Sequence, residues 1–174
     1  NVFLKLTSNE RVERIIEKAS LFGACDGKIR GLCFCNSNEV SKELSEKFNN
    51  RGYNTIALSG ESSEKERENA IRRLESNDEH DRLDYIFTVD IFNEGIDIPR
   101  VNQIIMLRPT QSAIIFIQQL GRGLRKAQDK DYLTVIDFIG AYDNNYMIPM
   151  ALSGDKSHNR DNLKDDLEVE PIYG

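Results

Sequence analysis

The chain has 174 residues, 39% of them hydrophobic and 30% charged, with a formal net charge of −6 and an isoelectric point near 5.1. That length suits one domain with its own core, and the acidic balance excludes a general basic coat for polyanions. There is no apolar run of membrane-spanning length and no basic-then-apolar leader, so a soluble, cytoplasmic protein without membrane contact is expected.

The chain starts with Asn1 rather than Met, and a helix follows almost at once, which suggests a piece of a longer polypeptide with partners in cis. Val12, Ile15, Ile16, Ala19 and Phe22 lie at helical spacing over 9–24, behind a cap at Ser8. The apolar run "RGLCFC" (30–35) has strand length, and "NSNE" behind it fits a cap at Asn36 with Glu39 three residues on. Val40, Leu44 and Phe48 stripe the helix that follows, and Gly52 suits its stop. A strand is predicted at 53–58, a charged helix from Ser62 or Ser63 through Leu74, and strands at 83–89 and 101–107. A helix from Ser112 to about Leu120 and a strand at 132–138 complete the pattern. The cysteines are Cys25, Cys33 and Cys35, and the histidines are His80 and His158. None has ligand spacing, so buried free thiols and no metal site are expected.

Near-continuous apolar strands alternating with helices imply an α/β fold with a mostly parallel sheet covered on both faces. Ligands of such sheets bind beyond the carboxyl ends of the strands. Four loops are expected to line that edge: 35–39, 58–62, 90–99 and 107–112.

The nucleotide signatures that a chain of this pattern could carry are missing. No G-x-x-x-x-G-K-[ST] occurs, since Gly27-Lys28 lacks the leading glycine and is followed by Ile29. "GRGLRK" has Lys126 where a dinucleotide fingerprint needs its third glycine, and it ends a helix instead of opening one. "DEHD" (78–81) imitates a magnesium-holding acidic box but lies in a polar loop between a helix and a strand. The cations are nonetheless unevenly placed. Residues 100–126 hold Arg100, Arg108, Arg122, Arg125 and Lys126 and not one Asp or Glu. Basic residues finishing a helix are one account of this. The other is an anion site, because Gly121 and Gly123 leave room for close backbone approach and the arginine fork matches phosphate oxygens.

"FTVDIFNEGIDIPRVNQII" followed by "QQLGRGLRK" resembles motifs V and VI of superfamily 2 helicases and translocases of the restriction and excision-repair type. The G-x-D-x-P and Q-x-x-G-R-x-x-R cores stand in order, about twenty residues apart. "GLCFCNSNEVSKELSEKF" is similar to motif IV with its helix. "ALSGESSEKEREN" is similar to the family's L-H-G segment with its downstream arginine, Ser59 replacing the histidine. The likeness covers about 28–138 and extends, more weakly, into the tail "DFIGAYDNNYMIPMALSGD".

The resemblance implies the second of two RecA-like domains, a three-layer α/β/α unit over 28–140. Residues 1–27 supply a helix packing on it, and 141–174 form an extension or a linker toward a further domain. ATP and Mg2+ would be held mainly by a first domain carrying the phosphate loop and acidic box. By position, Arg122 and Arg125 resemble the arginine fingers that reach the γ-phosphate, and Gly95, Asp97, Gln118 and Gly121 are placed at the nucleotide. Backbone contacts to nucleic acid, DNA by the type of motif, are expected from Ser37, Asn38, Ser59, Gly60, Thr88 and Asp90. Asn36, Ser37 and Ser62 are equally explained as helix caps. Two further readings stand beside a helicase motor. One is a non-hydrolysing scaffold or nucleic-acid-binding module. The other is a Rossmann-like small-molecule enzyme, disfavoured by the absent glycine fingerprint.

Overall fold

A computed structural model describes residues 7–23, 27–89, 98–108, 114, 115, 117 and 133–138. Among these are three helices, α1 (Asn9–Leu21), α2 (Asn38–Asn49) and α3 (Glu64–Glu75). Five strands accompany them: β1 (Gly31–Phe34), β2 (Thr55–Leu58), β3 (Tyr85–Thr88), β4 (Gln103–Met106) and β5 (Thr134–Asp137). Residues 114, 115 and 117 are helical as well. The strands form one sheet in the order β2-β3-β1-β4-β5, and every pairing is parallel.

Alternation along the strands sorts the core into two layers. Leu32 and Phe34 of β1 join Ile86, Ile104 and Met106 on the face covered by Ala70 and Leu74 of α3. Cys33 and Cys35 join Tyr85, Phe87, Ile105 and Ile136 on the face covered by Val12, Ile15 and Ala19 of α1 and Val40, Leu44 and Phe48 of α2. The chain moves outward from β1 to β2 and back inward to β3, and right-handed crossovers in opposite directions must lie on opposite faces. This is why α2 and α3 end up on different sides. Phe48 is fully buried, its ring 5.3, 5.6 and 5.0 Å from those of Tyr53, Tyr85 and Phe87.

Local chemistry sets the helix ends. Ser8 caps α1 by accepting from Arg11 N, and α1 stops at Leu21, short of the expected residue 24, because Phe22 has left helical geometry at φ −106°, ψ 55°. The cap of α2 is Ser37 rather than the expected Asn36. Ser37 is the extended residue (φ −153°, ψ 162°) and its side chain accepts from Val40 N, so the helix begins one residue later and Glu39 falls short of the N3 place of a capping box. Ser63 opens α3 with a full capping box to Glu66. Gly52, at φ 89°, makes the left-handed turn after α2. Strand ends fall at most two residues inside the expected runs, and β2 ends at Leu58 as expected.

The amino-terminal edge of the sheet is closed by side chains. Asn102 accepts from Arg30 N at 2.8 Å and donates to Lys28 O at 2.8 Å. Arg30 and Arg100 both donate to Asn77 Oδ1, at 3.2 and 3.0 Å. Arg82 donates to Ile29 O at 3.0 Å and pairs with Asp84 at 2.9 Å. That belt occupies the loops at this end, and the cleft among the described residues lies at the opposite edge.

Candidate functional site

In-register parallel pairing brings the last residues of the strands into one row: Leu58, Thr88, Phe34, Met106 and Asp137. The segments beyond β1 and β2 therefore emerge on one edge. Between them lies a cleft of about 210 Å³ lined by Asn38, Ser41 and Lys42 of α2 and by Ala57, Leu58, Ser59, Glu61, Ser62 and Glu66. Asn38, Ser41 and Lys42 come together because residues three and four apart share a helix face.

The β2–α3 turn is tightly bonded within itself. Ser59 N donates to Ser62 Oγ at 3.0 Å, Ser62 N to Ser59 O at 3.0 Å, and Glu61 N to Ser59 Oγ at 3.2 Å. Arg67, one turn into α3, donates through Nη2 to Gly60 O at 2.9 Å and to Ser59 O at 3.5 Å. Ser63 N and Ser63 Oγ donate to Glu66 Oε2 at 2.7 and 2.8 Å, and these bonds, the backbone one foremost, hold the Glu66 carboxyl below the usual carboxylate range. Among the described residues the hydroxyls of Ser59 and Ser62 only accept, and their protons have no acceptor. The charged residues lining the cleft are one cation, Lys42, and two carboxylates, Glu61 and Glu66.

Ser37, Asn38, Ser59 and Gly60 stand together at this edge, with the Ser37 hydroxyl engaged as the α2 cap at 3.2 Å from Val40 N. Thr88 closes β3 in the same row, but its side chain is fully buried and its Oγ1 has no hydrogen-bond partner among the described residues. Asp90, Gly95, Asp97, Gln118, Gly121, Arg122 and Arg125 lie outside the described residues. Two contributors were not singled out from sequence. Arg67 fixes the β2–α3 turn, and its signal was the arginine ending the segment that resembles the L-H-G motif. Lys42 brings the cleft its cation, and only the helix face shared with Asn38 pointed to it.

The model of the helicase conserved C-terminal domain matches residues 9–127, and the chain belongs to that family. It is a RecA-like domain of the superfamily 2 helicase type. It is 29% identical over 172 residues to the ATP-dependent helicase-like protein IRC3 of Saccharomyces cerevisiae, covering 98% of this chain and 22% of that protein. It is 30% identical over 114 residues to the ATP-dependent RNA helicase SrmB of Haemophilus influenzae, covering 66% of this chain and 24% of that one. The structure of the ATP-dependent Type ISP restriction-modification enzyme LlaBIII bound to DNA is similar in fold. Its TM-score is 0.58 at 20% identity, over 88% of this chain and 12% of the enzyme. The chain thus spans a quarter or less of the length of these relatives.

Proposed function

We propose that this chain is the second motor domain of an ATP-dependent superfamily 2 helicase or translocase acting on DNA. In this reading Arg122 and Arg125 reach the γ-phosphate of ATP held, with Mg2+, by a first RecA-like domain, and Gly95, Asp97, Gln118 and Gly121 border that nucleotide. The loops beyond β1, β2 and β3, with Ser37, Asn38, Ser59, Gly60 and Asp90, follow the nucleic-acid backbone through hydroxyls, side-chain amides and backbone N–H groups, and Thr88, buried at the end of β3, supports that loop from behind. The observation that carries it is the extent of the family match. It reaches residue 127 and so takes in the Q-x-x-G-R-x-x-R segment at 118–125, inside a stretch of an acidic chain that holds five cations and no carboxylate. Phosphoryl transfer asks the protein mainly for positioning and charge stabilisation, and a fixed guanidinium fork supplies both.

The test is steady-state ATPase on the full-length protein with DNA present. Arginine fingers contribute roughly 10³ to 10⁵ in rate, so Arg122→Ala or Arg125→Ala is expected to lower kcat at least about a hundredfold while ATP binding largely survives. Lysine restores the charge without the planar fork and rescues only in part. Wild-type rates from both Arg122→Lys and Arg125→Lys overturn the finger assignment. Substituting RNA of the same sequence for the DNA decides between the two polymers: stimulation by RNA alone overturns the DNA assignment and leaves the motor reading intact.

A further inference from the structure

The outer edge of β2 is closed above and below a single open residue. β2 ends the sheet and pairs with β3 alone. Residues of a parallel strand turn their backbone groups to alternate sides, and Asn54 O, which accepts from Asp84 N at 2.7 Å, sets the even-numbered ones toward β3. The odd-numbered ones face outward. Tyr53 N donates to Phe48 O at 3.2 Å. Thr55 is met at both groups by one carboxamide: its N–H donates to Asn49 Oδ1 at 2.8 Å, and Asn49 Nδ2 donates to its carbonyl at 3.2 Å. Ser59 is met at both groups by Ser62, at 3.0 Å each. Ala57, between them, has no such bond among the described residues, and it lines the cleft.

With the positions two residues before and after already taken, a continuous added strand finds no register here. What remains is one donor and one acceptor side by side, the same pair that a carboxamide satisfies at Thr55. The complementary ligand has an adjacent acceptor and donor on one planar edge, which is what the Watson–Crick edge of a nucleobase presents. The cleft's charge narrows the choice further. With Glu61 and Glu66 against Lys42, it disfavours a phosphate and favours a neutral planar group. Its volume of about 210 Å³ exceeds the share of several water molecules at about 30 Å³ each.

We infer that the β2 edge is a base-accepting site. One nucleobase of the bound strand enters the cleft and pairs its donor–acceptor edge with Ala57 N–H and C=O, while the sugar-phosphate backbone passes over Asn38 and Ser59. Every base carries a neighbouring donor and acceptor, so the site holds a base without fixing its identity. The inference rests on the proposed path of nucleic acid along the carboxyl edge.

Amide-resolved ¹⁵N–¹H spectra of the full chain test it, titrated separately with a short single-stranded oligonucleotide, with the same backbone made abasic throughout, and with N-acetyl-asparagine amide. The Asn38 and Ser59 amides are expected to move with both oligonucleotides, and the Ala57 amide to move downfield with the base-bearing one only. An equal Ala57 shift from the abasic strand overturns the base assignment, as does an Ala57 amide that stays still while Asn38 and Ser59 move. A shift produced by the asparagine amide and not by either oligonucleotide overturns it in favour of a protein partner's carboxamide. If none of the three amides responds to nucleic acid, the proposed strand path fails as well.

Discussion

At the scale of single residues, the tightest constraint is between Gly31 and Tyr85. A Cβ on Gly31 would stand 2.2 Å from Tyr85 Cδ1 and 2.3 Å from Cε1, and the ring is held by Tyr85 Oη donating to Gln103 Oε1 at 2.6 Å. Gln103 in turn donates to Ala19 O at 2.9 Å and Phe22 O at 3.3 Å, so the same tyrosine indirectly secures the end of α1. Gly31→Ala is therefore expected to destabilise the fold by about 1–3 kcal/mol, the usual cost of overpacking a close-packed core. Urea unfolding followed by circular dichroism measures it, and an unchanged midpoint would show that the ring moves aside freely. Burial, the largest influence, also pushes the Tyr85 hydroxyl well above its ordinary value, consistent with a phenol that serves only as a donor. None of this was legible in "RGLCFC" or "LDYIFTV", where Gly31 and Tyr85 read as ordinary strand residues.

At the scale of elements, the helix starts combine capping with charge. Glu66 completes the capping box of α3, and its carboxyl lies below the ordinary value of 4.5. A lowered folded-state value means that the carboxylate form is favoured by folding. Its contribution is present above about 4.5 and is lost as pH falls through the lowered value. Glu66→Gln retains a capping acceptor and removes the titration, so the melting temperatures of wild type and variant should differ above pH 5 and converge as pH falls below 4.5. A gap that is constant from pH 7 to pH 3 would mean that the Glu66 charge has no part in holding the α3 start. The position of this helix was readable from its serines and charges, with Ser62 and Ser63 both open. The structure assigns the cap to Ser63 and turns Ser62 back onto Ser59. The start of α2 was read one residue early, because Asn36, Ser37 and Asn38 are all good caps and only backbone geometry separates them.

At the scale of the whole molecule, the described residues close one edge of the sheet with the Arg30, Arg82 and Arg100 belt and gather Ser37, Asn38, Ser59 and Gly60 around the cleft at the other. No G-x-x-x-x-G-K-[ST] occurs in the sequence, so the chain by itself is expected to fold cooperatively and to hydrolyse ATP no faster than buffer. Calorimetric titration should show weak or undetectable ATP binding. Micromolar affinity, or turnover that survives repurification, counts against its role as half of a two-domain site.

The alternating strand and helix pattern, and the family to which the chain belongs, were carried by the sequence. Both rest on local regularities: periodicity, cap residues, and short motifs whose spacing is fixed by a strand, a turn and a helix. The strand order, the face taken by each helix and the meeting of the β1 and β2 loops were decided only by tertiary structure, because they depend on crossovers and on register between segments tens of residues apart. The open edge at Ala57 belongs to the same class. Nothing about an alanine in "YNTIAL" is distinctive, and its outward backbone pair is left without a partner among the described residues because β2 ends the sheet while Asn49 and Ser62 close only the positions on either side.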